Sequence, residues 1–90
     1  MKYTIGELVY VWRQMSADRW QLVPAHVHRR HRDGTTTVNF NTPTGRWSNP
    51  GGGVGGYELR HGARLTNEGI HGSDVDASKA APIAYQRVEI

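Results

Sequence analysis

Cysteine is absent from this 90-residue chain. No disulfide can brace the fold, and thiolate catalysis and cysteine-ligated zinc are excluded. A chain of this length buries only about 60–65% of the surface its unfolded form exposes, so a modest core or self-association must carry its stability. Long apolar runs are missing as well. The opening stretch MKYTIGELVYVW is too polar for a membrane span or a secretion signal. Beginning at Met1, the sequence reads as a complete small cytoplasmic protein with no membrane partner and with homo-oligomerisation as an open alternative. Helix-favouring composition is confined to the neighbourhoods of Met15 and Ala77, which argues against an α-rich fold.

Acidic residues are in the minority, eight against eleven Lys and Arg, for a net charge of +3. The excess is uneven. Residues 1–32 hold six of the bases against Glu7 and Asp18, whereas the remainder holds five bases and six acids. The first third is therefore the electropositive part, which suits an anionic partner; a solvated basic face that keeps the protein soluble is the equal alternative.

What the sequence does contain is strand and turn. Thr4 to Arg13 reads as a first strand whose centre, Leu8-Val9-Tyr10-Val11-Trp12, is apolar on both faces. Met15 to Arg19 reads as a loop. Trp20 to Arg32 and Thr35 to Asn41 read as a hairpin about Asp33-Gly34, a dipeptide that suits a two-residue type I′ turn. With those two residues as the loop, Arg30 should oppose Thr37, His28 should oppose Asn39, and Val27 should oppose Phe40. Val23, Ala25, Val27, Val38 and Phe40 then face the core. His26, His28, Arg30, Arg32, Thr35, Thr37 and Asn39 face outward. Residues 42–56 are a long Gly/Pro-rich loop around Trp47. Tyr57 to Arg60 reads as a short strand, His61-Gly62 as a turn and Ala63 to Leu65 as a last turn or strand. Ser73 or Asp76 can cap one helical turn, and Ile83 to Ile90 alternates as a closing strand. The expectation is a mainly β chain, a small antiparallel barrel of about five strands.

Gly6-x-x-Val9-x-Val11, Trp20 with Pro24-Ala25-x-Val27, Asp33-Gly34, Val38-x-Phe40, the glycine-rich loop and Tyr57-x-Leu59 occur in an order that resembles the SH3-like barrels, Tudor-like domains in particular. The resemblance implies an SH3-like barrel over residues 1–66 and a polar C-terminal extension over 67–90. It also implies a ring cage for a methylated Lys or Arg side chain. Asn41-Thr42-Pro43 stands where that family usually places an acidic or aromatic residue, so the methylated ligand is not carried over.

Two function classes follow. In the first, a non-enzymatic binding module presents His26, His28, Arg30 and Arg32, extended by Arg13 and Arg46, to nucleic acid or an acidic protein surface. Side chains at i and i+2 of a strand lie about 7 Å apart, which matches successive phosphates of an extended strand. In the second, a protein-interaction or inhibitor module, such as a phage or mobile-element accessory protein, binds through Trp47, Tyr57 and Trp20. Cation–π capture and burial in the core are the competing roles for those rings. His26-x-His28 could chelate zinc, but His31 falls on the other face unless a bulge intervenes and His61 and His71 are distant in sequence, so neither metal nor cofactor is expected. Gly51-x-Gly53-x-x-Gly56 matches a dinucleotide fingerprint in letters only, since Asn49-Pro50 precedes it in place of a strand. The acids are scattered and no catalytic constellation can be assembled from them.

Overall fold

The computed structural model describes residues 3–40 and 61–89. Five antiparallel strands run in sequence order through one curled sheet: β1 (Leu8–Ser16), β2 (Arg19–Arg30), β3 (Thr35–Asn39), β4 (His61–Thr66) and β5 (Gln86–Glu89). A 3-10 turn (Asn67–Gly69) and a short helix, α1 (Asp74–Ser78), lie between β4 and β5. The chain is thus mainly β and forms a half-barrel, as its strand and turn pattern predicts.

Alternation places the core. Val9, Val11, Ala25, Val27, Val38, Ala63 and Leu65 leave one face of the sheet, and Ile70 joins them from beyond β4; none is more than 3% exposed. Val9 opposes Ala25, Val27 opposes Val38, and Val38 opposes Ala63, so the apolar row crosses four strands. β-Branched side chains suit this pleated, one-sided surface, and burying each valine stabilises by roughly 1.5–3 kcal/mol.

Two boundaries differ from expectation. β1 starts at Leu8 because Gly6 takes a left-handed φ of 90° and turns the chain, with Glu7 N donating to Thr4 O. It then runs through Met15 and Ser16, and the link to β2 shrinks to Ala17-Asp18. His61-Gly62 is not a turn. Both residues belong to β4, where Gly62 opposes Asn39 on one side and Val88 on the other.

The half-barrel is drawn together without a ladder between β1 and β5. On the free edge of β1, Tyr10 and His71 exchange backbone hydrogen bonds of 2.8 and 3.1 Å. Farther along, Gln14 N donates to the Tyr85 hydroxyl at 2.9 Å, and Arg87 Nη2 donates to Gln14 O at 2.8 Å. The segment expected as an extension therefore supplies the fifth strand and these edge ties. Ser73 caps α1, its Oγ accepting from Asp76 N at 3.1 Å. Trp12 Nε1 donates to the carbonyl of buried Ala77 at 2.9 Å and holds the helix against β1.

Candidate anion-binding surface

The β2–β3 hairpin departs from a two-residue type I′ turn. His31 N donates to Thr35 O at 2.9 Å, which leaves Arg32, Asp33 and Gly34 as a three-residue loop. Gly34 has φ of 85°, and among the described residues no non-glycine has positive φ, so Asp33 is not left-handed. A turn followed by one left-handed residue is the usual three-residue solution. Asp33 selects it. Its Oδ1 accepts from Thr35 N and Thr35 Oγ1, and its Oδ2 pairs with Arg64 Nη2 at 2.7 Å. The Thr35 hydroxyl, then the Thr35 amide and Arg64, lower the Asp33 carboxyl to about 2.

The longer loop shifts the register, and a bulge shifts it again. His26 opposes Asn39 and Val27 opposes Val38. Beyond the irregularity between Val27 and Arg29, Arg29 opposes Thr37 and Arg30 opposes Thr36. His28 is the extra residue. A bulge turns two successive side chains toward one face, so His28 and Arg29 both lie on the Thr37 face and His31 follows them. Arg30 is moved to the face of Thr36 and Val38, where it stands exposed at the rim. Arg32 sits exposed in the turn. The expected outward row of His26, His28, Arg30 and Arg32 is thereby corrected to His26, His28, Arg29 and His31. The signal that could have revealed this, an even strand broken by one extra polar residue, is too weak in a run of alternating His and Arg.

His26 also differs in exposure. It is 7% exposed and Asn39 opposite it is buried too, so this part of the face is covered, whereas Arg29 nearer the turn is exposed. Among the described residues the Nδ1 atoms of His26 and His28 are buried without a hydrogen-bond partner. Burial lowers the pKa of both; for His28, Arg29 lowers it further. Burial and the Arg64 and Arg29 charges lower His31, partly opposed by Asp33. At neutral pH these rings therefore act as neutral hydrogen-bonding groups. His31 Nε2 lies 2.7 Å from Thr37 Oγ1.

His28, Arg29, His31, Thr37, Arg64 and Gln86 line an open cleft of about 250 Å³ on this face. Arg64 arrives from β4 because it opposes Thr37, and its Nε donates to Thr35 Oγ1 at 2.9 Å. Arg29 and Arg64 thus share this cleft, while Arg32 is exposed in the turn and Arg30 at the rim of the other face. Among the described residues the ion pair formed here is Arg64–Asp33, and Arg29, Arg30 and Arg32 have none. No group of three or more His, Cys, Asp or Glu side chains among the described residues converges to hold a metal ion.

The remaining sequence candidates do not join this cluster. Arg13 lies at the other end of the sheet, its guanidinium 4.9 Å from the centre of the Phe40 ring. Trp20 packs edge-on against Tyr85, with ring centres 6.1 Å apart, and Tyr85 packs in the same way against Phe40 at 6.2 Å. Arg46, Trp47, Tyr57 and the glycine-rich loop lie outside the described residues. No helix among the described residues is long and apolar enough to cross a membrane. Comparison with protein-family models, with curated proteins and with solved structures finds no match to this chain.

Proposed function

We propose that this chain is a non-enzymatic binding module that holds the phosphate backbone of a nucleic acid across the β2–β3 hairpin. The observation that carries this reading is the cleft shared by Arg29 and Arg64, with Arg30 and Arg32 exposed at the same end of the hairpin; Arg29, Arg30 and Arg32 have no ion pair among the described residues. Like charges placed together repel, and a polyanion relieves that repulsion while releasing its own condensed counterions. Arg29 and Arg64 frame the cleft, and Arg30 and Arg32 extend the positive surface along the tip. Neutral His28 and His31 offer hydrogen bonds to sugar or phosphate oxygens. This arrangement supports backbone contact.

The test is a fluorescence titration of labelled single- and double-stranded oligonucleotides at several salt concentrations. Binding should weaken steeply with salt. Arg29→Gln and Arg32→Gln should each lower the log–log salt slope by about 1, the loss of one phosphate contact. Lys79→Gln, a cation at the end of α1, should leave the slope unchanged. Absence of binding at low salt, or an unchanged slope in both arginine variants, overturns the proposal.

A further inference from the structure

The core face does not end in apolar residues at the end remote from the hairpin. The row Val9, Val11 continues to Arg13, the row Val38 continues to Phe40, and the row Leu65, Ala63 begins at His61. Arg87 opposes Ala63 and so leaves the same face of β5. Arg13, Phe40, His61, Tyr85, Arg87 and Met15 line a mouth of about 100 Å³. Two guanidiniums and an imidazole thus surround a recess that is walled by two rings and a thioether. Glu89 stands opposite His61 in register; among the described residues lining the mouth there is no acid.

We propose that this mouth binds a small carboxylate whose apolar part rests on Phe40 and Tyr85. It is a separate site from the hairpin surface and does not depend on that reading. The chemistry is specific. A guanidinium presents paired N–H groups that fit the two oxygens of a carboxylate. Arg13 is held over the Phe40 ring at 4.9 Å, and Arg87 is anchored by its bond to Gln14 O at 2.8 Å, so both forks are oriented before a ligand arrives. The Tyr85 oxygen accepts from Gln14 N, which leaves its own O–H free to donate. A recess of about 100 Å³ suits a carboxylate head and part of a ring.

Benzoate, acetate and inorganic phosphate are the probes, followed by the amide signals of Gln14, Phe40, Gly62 and Arg87. Benzoate should shift these signals saturably and bind more tightly than acetate or phosphate. Arg13→Gln should weaken benzoate roughly tenfold or more, the loss of one charge-assisted hydrogen bond. Among the described residues the Arg13 side chain makes none of the ties between β1 and the Tyr85–Arg87 segment, so this variant should keep its amide spectrum elsewhere. Arg87→Lys, which retains the charge but not the fork, should bind benzoate more weakly than wild type. If no probe shifts these amides saturably, or phosphate binds as tightly as benzoate, the proposal is wrong. An unchanged benzoate affinity in Arg13→Gln overturns it equally.

Discussion

Replacing Gly34 by alanine tests the hairpin turn through one backbone angle. A Cβ built on Gly34 meets no atom within 4 Å, so the change introduces no clash, yet the residue has φ of 85°. An L-residue held in that region costs roughly 1–2 kcal/mol. Alanine also restricts the unfolded chain, which returns about 0.4–1 kcal/mol. The net expectation is a loss of about 1 kcal/mol. Gly72 is the matched control: its Cβ also meets nothing, but its φ is not left-handed. Gly72→Ala should therefore be neutral or stabilising by up to about 1 kcal/mol. In a domain of this size each kcal/mol moves Tm by about 4–8 °C. Urea unfolding read at constant m separates stability from changes in the unfolded state. Equal stability of the two variants, or a Gly34→Ala protein as stable as wild type, would refute the left-handed position and the turn built on it.

Two further outcomes follow from the same structure. His26, His28 and His31 all have lowered pKa values, so between their folded values and about 6.5 the unfolded chain binds more protons than the fold. Stability is then full above pH 6.5 and falls as pH drops through the lowered values; a second loss comes as pH falls from 3.8 toward about 2, where Asp33 protonates. Thermal melts across this range should show the first decline shrink in His28→Asn, and a Tm that stays flat from pH 7 to 5 would contradict the buried rings. Trp12→Phe removes the hydrogen bond to Ala77 O and should cost about 1 kcal/mol, with amide exchange quickening in α1 and little changed in β3 and β4.

Much of the scaffold could be read in one dimension because its signals are local. Valine alternation across β2 and β3 assigned Val27, Val38 and Phe40 to one face, and a short helical turn capped by Ser73 or Asp76 and a closing strand within residues 83–90 were legible in the same way, the structure choosing Ser73 and Gln86–Glu89. The register was not. Asp33-Gly34 marks a reversal, but the loop length depends on whether the Asp33 side chain bonds Thr35 and Arg64, and Arg64 lies 31 residues away. One extra residue at His28 then inverted the roles of Arg29 and Arg30, since a strand's side chains alternate with a period of two.

The candidate sites divide along the same line. Positive charge in the first third was plain from composition, but which arginines lie near one another was settled by β4 delivering Arg64 to Thr37 and by the bulge turning Arg29 toward it. The mouth was invisible in the sequence, because Arg13, Phe40, His61 and Arg87 become neighbours only when β1 and β5 curl toward each other. Sequence alone determined the strands, the apolar face and the sign of the charge, which are properties of short windows and sums. Tertiary structure decided register, sidedness and which cations converge, because those depend on hydrogen bonds and strand pairings between residues far apart in the chain.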